Sequence, residues 1–408
     1  MLYGARGHIR TALACTVIGA AFGCQSTKDS TSPVDTTTTT TTTGLGDFAI
    51  LASGNDDQAL GAATDGTNIL VPFNSGTFAI GSGIPGTQLI SKTGLVGTAV
   101  TFGDNRLDVG SAAFDGTRYL TAYQQGVNDA GSDIWGQFIT TAGARSGTAF
   151  QITTTGNAPI VFNLVYGSGG AYLLTYARGA FRPDVGDSVF MSFARRIDAS
   201  GTVGPELTVG ALGYANAAAF DGTNFLVIYS LGGTTQQMRG RFISLAGVLG
   251  ADVPLSTAGI SVSSQMSLAF NGTAYMAAWG DRVPTDSFPN DSSIFVQAIS
   301  TSGTPLGSPT RLGTTTAKAQ ISNIIPLGSN FYVNWGEADA NDLFTARGSM
   351  ISPTGAVVSG PTTLFAPDTL TTSVFTAMLP VGPSKVLALV NRKIHGQWDV
   401  YAKFLTLQ

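Results

Sequence analysis

The chain has 408 residues, of which 52 are glycine and only 11% are charged, a composition that favours short strands joined by tight turns over long surface helices. The formal net charge is −4, and removal of a leader that carries Arg6 and Arg10 but no acidic residue makes the mature chain more negative. Phosphate contacts need clustered lysine and arginine, so a mildly acidic chain without a basic stripe argues against a nucleic-acid partner.

Residues 1–23 are predicted to be a signal peptide, because a short basic leader precedes the apolar run TALACTVIGAAF, which is too short to span a bilayer. Residues 21–24, AFGC, resemble the lipobox of bacterial lipoproteins, although Ala21 replaces the leucine that the motif prefers. This resemblance implies acylation of Cys24 and, because Gln25 rather than an aspartate follows it, an outer-membrane or cell-surface location. The alternative is an ordinary secretory signal, which cuts before the same cysteine and leaves the protein periplasmic or secreted.

The second cysteine, Cys15, lies in the apolar run, so the mature chain keeps one thiol and has neither an intrachain disulfide nor a cysteine-based metal site. Residues 24–45 are almost free of apolar side chains and contain an uninterrupted threonine run. Such a segment buries too little apolar surface to offset the entropy of ordering it. We therefore expect a flexible tether ahead of a folded body at 46–408.

That body is built from one repeated unit. A turn glycine recurs at intervals of 50 to 56 residues and marks seven units of about 53 residues each. These glycines are Gly66, Gly116, Gly169, Gly222, Gly272, Gly328 and Gly382. A uniform period of this length indicates a repeat architecture and has to be settled before any other fold signal.

Each unit follows the same order of elements. In the fourth unit a short apolar strand at 216–220 leads into Asp221-Gly222, a strong hairpin signal, and the return strand at 224–230 is apolar on both faces. A variable loop, a third strand that ends in a second turn glycine, and a short fourth strand complete the unit. Four antiparallel strands repeated seven times predict a seven-bladed, all-β propeller. Paired β-sandwiches and a β-helix are the alternatives, and both fit the period less well.

The chain ends supply an internal check on this prediction. The last unit stops after three strands. The segment DFAILAS at 47–53 precedes the first unit and has the pattern of a fourth strand that belongs to no unit. We therefore expect this N-terminal strand to pair with the C-terminal blade and close the ring, which also removes an open sheet edge.

The phrase AAFDGTNFLVIY at 218–229 and its relatives, with a following strand such as GRFISLAG at 240–247, resemble the repeats of secreted bacterial β-propeller-like proteins. Many members of that group are lipoproteins, and most have no assigned function. The resemblance covers about 46–408 and implies the fold but no chemistry. The third, sixth and seventh units lack the Asp-Gly-Thr core, so they match by spacing and strand pattern alone.

In a propeller whose strands are lettered a to d outward from the axis, the b–c and d–a loops share one face. Here the b–c loops vary in length and carry much of the charge, which is typical of a binding surface on a rigid scaffold. The candidate binding residues are Asp129, Asp133, Asp184, Asp187, Asp281, Asp286, Asp291, Glu337, Asp339 and Asp342. The alternative is that these acids only keep a protein of low charge soluble.

Glu337, Asp339 and Asp342 form the densest acidic group and are weak candidates for a Ca²⁺ site; no other cofactor is expected. His395 is the only histidine of the mature body, so neither a Ser-His-Asp triad nor a histidine zinc site is expected. We expect a monomeric binding or scaffolding module for a protein or a cell-surface glycan, attached to a membrane only through Cys24. A carbohydrate-active hydrolase or lyase with paired aspartates in the central channel, and a passive envelope component, are the alternatives.

Overall fold

A computed structural model describes residues 47–76, 83–102, 110–126, 131–156, 159–182, 187–210, 216–231, 237–256, 262–282, 291–313, 318–338, 344–365, 372–394 and 396–407. The predicted signal peptide and tether, including Cys24, lie outside the described residues. No helix in the described ranges has the length and hydropathy that crossing a bilayer requires.

The described body is a seven-bladed β-propeller with four-stranded antiparallel blades, as the repeat predicts. The chain first forms β1 (Phe48–Leu51), the outer strand of the last blade. In blade 1 the inner strand is divided into β2 (Asp56–Ala59) and β3 (Ala63–Thr64), which both pair with β4 (Asn68–Gly76), and β5 (Gly83–Ser91) and β6 (Val100–Thr101) follow. Blade 2 contains β7 (Ser111–Phe114), β8 (Arg118–Gln125), β9 (Asp133–Thr140) and β10 (Arg145–Gln151). Blade 3 contains β11 (Ile160–Tyr166), β12 (Ala171–Arg182), β13 (Asp187–Asp198) and β14 (Leu207–Gly210).

The remaining blades repeat this order from the inner strand a to the outer strand d. Blade 4 contains β15 (Asn216–Phe220), β16 (Asn224–Leu231), β17 (Gln237–Ser244) and β18 (Leu249–Pro254). Blade 5 contains β19 (Val262–Phe270), β20 (Tyr275–Arg282), β21 (Asp291–Ile299) and β22 (Pro305–Leu312). Blade 6 contains β23 (Lys318–Leu327), β24 (Asn330–Ala338), β25 (Phe344–Ile351) and β26 (Val357–Phe365). Blade 7 contains β27 (Thr372–Pro380), β28 (Lys385–Ile394) and β29 (Gln397–Thr406), with β1 as its fourth strand.

The ring closes at the predicted seam between the two ends of the chain. β1 pairs antiparallel with β29, and Phe48 lies opposite Ala402. Asp47 forms ion pairs with Arg392 at 2.5 Å and with Lys403 at 3.8 Å. The ends of the chain are therefore joined by strand pairing and by charge, without a covalent bond.

The hydrophobic core lies between blades rather than within any one of them. Seven buried clusters can be distinguished among the described residues, and each contains side chains from two adjacent blades, including blade 7 with blade 1. The second strand of each blade supplies apolar side chains to the clusters on both sides, as the all-apolar return strands predict. The large aromatic side chains of these return strands are at most 3% exposed in blades 2, 4 and 5; they are Tyr119, Tyr123, Phe225, Tyr229, Tyr275 and Trp279.

The Asp-Gly-Thr turns combine a conformational role with a hydrogen-bonding role. Gly222 adopts a φ of +98°, a conformation that side chains rarely tolerate, while Oδ1 of Asp221 accepts the backbone N–H groups of Thr223 and Asn224 at 2.7 Å each. Six of the seven marker glycines have positive φ, and Gly382 is not among the positive-φ glycines. The aspartate is thus needed as a hydrogen-bond acceptor within the turn. The hairpin signal in the sequence predicts the turn but not this role of the aspartate.

Each of these turns also contacts the next blade. The Tyr119 hydroxyl of blade 2 donates to the backbone carbonyl of Asn68 at 3.2 Å and accepts from the backbone N–H of Asp65 at 3.1 Å, both in the turn of blade 1. Burial, together with the neighbouring Asp115 carboxylate of blade 2, raises the pKa of Tyr172 in blade 3.

A tyrosine lies beside the preceding aspartate turn in other blades too, although the hydroxyls of Tyr172 and Tyr275 have no hydrogen-bond partner among the described residues. Tyr275 of blade 5 is buried beside Asp221 of blade 4, and burial together with this carboxylate raises its pKa. Where the preceding turn lacks aspartate, the corresponding residue lacks a hydroxyl; these residues are Ile69, Phe225, Phe331 and Val386. An aspartate turn is therefore matched by a tyrosine in the following blade.

We predict that Tyr119→Phe lowers the free energy of unfolding by about 1 kcal/mol, because two hydrogen bonds between blades 1 and 2 are lost. Tyr123→Phe is the matched control, since the Tyr123 ring is buried in the same strand but its hydroxyl has no partner among the described residues. Urea denaturation of both variants measures the difference. Equal stability of Tyr119→Phe and wild type would show that the tyrosine hydrogen bonds between blades do not contribute to the free energy of unfolding.

Candidate functional site

The antiparallel blades separate two faces of the ring. The a–b and c–d turns, such as 115–117 and 141–144 of blade 2, lie on one face, here called the turn face. The strand ends that lead into the b–c and d–a connections, such as Gln125 and Asp133 or Gln151 and Ile160, lie on the other, here called the loop face. Five candidate acids of the sequence analysis lie near strand ends that meet the loop face, namely Asp133, Asp187, Asp281, Asp291 and Glu337.

Carboxylates on the turn face are committed to the turns themselves. Asp198 accepts the hydroxyl and backbone N–H of Ser200 at 2.6 and 2.9 Å, and the hydroxyl hydrogen bond lowers its pKa. Burial acts against ionisation of Asp65, but hydrogen bonds from Asn68 and Thr67 outweigh it and leave the pKa of Asp65 lowered. These acids stabilise the turns and are not arranged to receive a ligand.

The structure places the ten candidate acids as follows. Asp129, Asp184, Asp286, Asp339 and Asp342 lie outside the described residues. Asp187, Asp281 and Asp291 lie at strand ends beside b–c loops, where Asp187 is opposite Arg182 and Asp291 is opposite Arg282 in the strand register. Asp133 and Glu337 have described side chains, and both are engaged within the protein.

Asp133 organises the connection from blade 2 to blade 3. Its Oδ1 accepts the Thr153 hydroxyl at 2.8 Å and the backbone N–H groups of Thr155 and Gly156 at 3.0 and 3.1 Å. Its Oδ2 accepts the Gln151 amide at 3.1 Å. This carboxylate shapes a loop of the loop face from within.

Glu337 is 6% exposed and lies between an indole and a guanidinium. Its Oε1 accepts the Trp335 indole N–H at 2.9 Å, and its Oε2 accepts Nε of Arg347 at 3.2 Å. Similar groups of an aromatic side chain, an acid and arginine occur in two other blades: Tyr176 with Glu206 and Arg178, and Tyr229 with Asp252 and Arg239. A structural role therefore accounts for the described contacts of Glu337.

Burial, the Tyr229–Asp252 hydrogen bond and the charge of Asp252 raise the pKa of Tyr229 to about 12. Arg239, which the sequence places on a blade surface next to Arg241, binds both oxygens of Asp252 through Nε at 3.2 and 3.1 Å. These contacts fix the outer parts of the blades beside the loop face.

The seam adds acidic groups that the sequence analysis did not single out. Asp57 is fully buried, and its two oxygens accept the backbone N–H and hydroxyl of Ser53 at 2.7 and 2.9 Å. Asp56 accepts the backbone N–H of Trp398 at 3.0 Å. Burial, with the charges of Asp57 and Asp56, raises the pKa of Asp399 to about 6. The predicted closure of the ring is the sequence signal that could have revealed this acidic group, because closure brings positions 56 and 399 together.

The central channel is a cavity of about 470 Å³ bounded by the inner edges of all seven blades. Its described lining combines apolar side chains, such as Met266 and Leu379, with the hydroxyls and amides of Ser111, Asn163, Ser267 and Asn323. No carboxylate belongs to the lining that the structure describes, whereas the alternative function in the sequence analysis expects paired aspartates there.

Metal-ligating side chains are not grouped in the described ranges, where no three or more of histidine, cysteine, aspartate and glutamate are arranged to hold an ion. Of the three weak Ca²⁺ candidates only Glu337 is described, and its oxygens are bonded to Trp335 and Arg347. The Ca²⁺ expectation for Asp339 and Asp342 stays a prediction.

No family model and no curated protein match the chain. Among solved structures it is similar to the polysaccharide lyase Uly1, with a TM-score of 0.52 and 10% identity over 92% of this chain and 94% of that chain. It is also similar to the Dos1 propeller, with a TM-score of 0.49 and 10% identity over 89% of this chain and 94% of that one. A putative 6-phosphogluconolactonase from Bacteroides fragilis gives a TM-score of 0.49 and 10% identity over 87% and 96%. At such identities the likeness extends to the fold alone.

We predict that Asp399→Asn raises the melting temperature at about pH 7 and leaves it unchanged at about pH 4. The pKa of Asp399 in the folded protein, about 6, lies above its ordinary value of 3.8. The folded protein therefore holds this proton more tightly, and ionisation costs stability as the pH rises through that window.

Asp198→Asn is the control of opposite sign, because the pKa of Asp198 is lowered and its charge contributes stability at neutral pH that is lost on acidification. Thermal scans of both variants across the pH range measure the effect. A melting temperature of Asp399→Asn that follows wild type at every pH would contradict it.

We further predict that Glu337→Gln lowers the free energy of unfolding by about 2 kcal/mol, because it leaves Arg347 without its buried counter-charge. Adding Arg347→Met to this variant should restore part of the loss, as expected for directly coupled residues. Urea denaturation of the two single variants and the double variant gives the coupling. A Glu337→Gln protein as stable as wild type would show instead that the carboxylate is free for another role.

Proposed function

We propose that the protein is a surface-anchored binding or scaffolding module that holds a protein or glycan partner on its loop face. The observation that carries this proposal is the closed ring, which gathers the variable loops of every blade onto one rigid face. Binding residues on protein scaffolds are commonly placed in this way.

The contrast between the two faces supports the proposal. On the turn face, the aspartates of the a–b turns bond to their own backbone, and the turns keep nearly one length. On the loop face, the b–c gap between β20 and β21 runs from Arg282 to Asp291, whereas the corresponding gap between β28 and β29 runs only from Ile394 to Gln397. Variation in length and charge is therefore concentrated where the scaffold leaves the chain free to vary.

An exported location is part of the proposal and rests on the sequence alone. A lipid on Cys24 and a threonine-rich tether would hold the propeller at an outer membrane or cell surface. The first described strand, β1, follows the tether directly, so the anchor would join the ring at its seam.

One observation favours a carbohydrate-active hydrolase as a second candidate. The pKa of Asp399, raised to about 6 by burial and by the charges of Asp57 and Asp56, is the property that a general acid needs. This group lies at the seam rather than among the channel-lining residues that the structure describes. Release of reducing sugar from envelope polysaccharide by wild type, and its loss in Asp399→Asn, would establish this candidate in place of the binding module.

The test of the binding proposal uses the purified full chain, immobilised, with cell-envelope extract and a glycan array as probes. We expect Asp281→Ala/Asp291→Ala, at strand ends that meet the loop face, to reduce partner capture at least about fivefold, as expected when paired charges at an interface are lost. Asp198→Ala, on the turn face, is the matched control and should leave capture unchanged. Equal capture by wild type and both variants, or none by any of them, would contradict the proposal and favour a passive envelope component.

A further inference from the structure

A belt of seven neutral residues surrounds the channel at one level, one from the inner edge of each blade. Each member lies four or five residues before its a–b turn: Gly61, Ser111, Asn163, Ala217, Ser267, Asn323 and Ala377. Four of the seven are polar, and all line the cavity of about 470 Å³. These polar groups are available to a ligand only where hydrogen bonds within the protein do not already satisfy them.

Three of the four polar members join one blade to the next. Oγ of Ser111 accepts the backbone N–H of Leu164 at 3.0 Å, and Oγ of Ser267 accepts that of Ile324 at 3.0 Å. The Asn323 amide donates to the carbonyl of Met378 at 2.8 Å, and its Oδ1 accepts the N–H of the same residue at 3.1 Å. These contacts tie the inner strands of neighbouring blades together and explain why the positions are polar.

Asn163 is the exception. Its Oδ1 is buried, yet it has no hydrogen-bond partner, and its side-chain amide makes no hydrogen bond to any residue that the structure describes. Asn323, at the corresponding position of blade 6, uses both ends of its amide and also receives the Asn334 amide at 2.7 Å. A buried acceptor without a partner is uncommon in folded proteins, and it shows that Asn163 lacks the contacts that hold Asn323 among the described residues.

The serines leave capacity as well. Each of Ser111 and Ser267 accepts one hydrogen bond but donates none to a described residue, so the hydroxyl proton of each is available. Together with the side-chain amide of Asn163, the belt offers hydroxyl and amide donors to the channel, and each hydroxyl oxygen can accept a further hydrogen bond. This arrangement complements a ligand whose groups both donate and accept hydrogen bonds and are spaced around a ring.

We propose that the channel binds a neutral saccharide unit whose hydroxyls meet Asn163, Ser111 and Ser267. The cavity volume lies within the range of small-ligand sites, about 300–1,000 Å³. Its described lining carries no charge, so an ionic group would lose its hydration without a counter-charge. The apolar side chains of Met266 and Leu379 suit the C–H faces of a sugar ring.

This inference rests on the proposed binding function and deepens it, since it gives a class to the glycan partner. It differs from the loop-face proposal in the residues it uses. The two are therefore separable by substitution, because no channel residue named here belongs to a b–c loop.

The test uses the full chain with four neutral disaccharides, namely maltose, cellobiose, lactose and diacetylchitobiose, and with digalacturonate as a charged comparison. Titration calorimetry should show saturable binding of at least one neutral disaccharide and none of digalacturonate. Asn163→Ala should weaken that binding about tenfold, as expected for loss of hydrogen bonds to a ligand, and leave the melting temperature unchanged.

Asn323→Ala is the matched control. It removes contacts between blades 6 and 7, so it should lower the melting temperature while changing the affinity by no more than about twofold. The serine and alanine side chains at other belt positions are small, so they leave room for the sugar to enter. The pair of variants thus separates a ligand contact from a structural one at corresponding positions.

Unchanged affinity in Asn163→Ala, or equal weakening in both variants, would overturn the inference. Failure of every neutral disaccharide to bind, while the loop face still captures a partner, would also overturn it and show that the channel holds water only; the proposed function would stand. Loss of capture on the loop face as well would remove the proposed function, and this inference with it.

Discussion

The structure depends on one constraint: every blade is apolar on both faces, so every blade needs a neighbour on each side. Seven interfaces satisfy this requirement, and the last of them exists because β1 crosses to blade 7 and pairs with β29. Without that pairing, β29 would present a long unpaired edge, and the cluster around Ile50 and Leu389 would be opened to water. The loop face and the channel are both products of closure, since neither exists in an open row of blades.

Polar contacts give this apolar ring its register. On the turn face, the Tyr119 hydroxyl bonds to the aspartate turn of the preceding blade, and near the axis serine and asparagine side chains bond to the next inner strand. At the seam, Asn391 performs a similar task by bonding both the N–H and the carbonyl of Ala59, at 2.9 and 3.3 Å. Burial of apolar surface has little directional preference, so these bonds fix how each blade is seated on its neighbour. Asn163, at a corresponding position, makes no side-chain hydrogen bond to a residue that the structure describes.

Much of the fold followed from the sequence because its signals are local or periodic. The turn glycines, the all-apolar return strands and the missing fourth strand of the last unit predict the blade count, the core and the seam, and the structure confirms all three. The roles of particular side chains were harder to predict. Glu337 belongs to an acidic stretch, and only the pairing of Trp335 with Arg347 across two strands shows that it is enclosed. Asn163 and Asn323 are the same residue at corresponding positions, and what separates them is the geometry of the adjacent blade. The match between Asp65 and Tyr119 was readable in principle, by comparing each unit with the one that follows it.

That match means that the blades are not interchangeable copies. If blades 4 and 5 exchanged places in a shuffled chain, Tyr275 would lie against the glycine-rich turn at 167–170, and the aspartate turn at 221–223 would meet a blade that has no reason to supply a hydroxyl. The order of the blades is thus written in their side chains, although their backbones are nearly alike. A new copy of a blade, wherever it arose by duplication, would fit its neighbours fully only after a second change on the facing blade. The repeat therefore records its neighbours as well as its own fold.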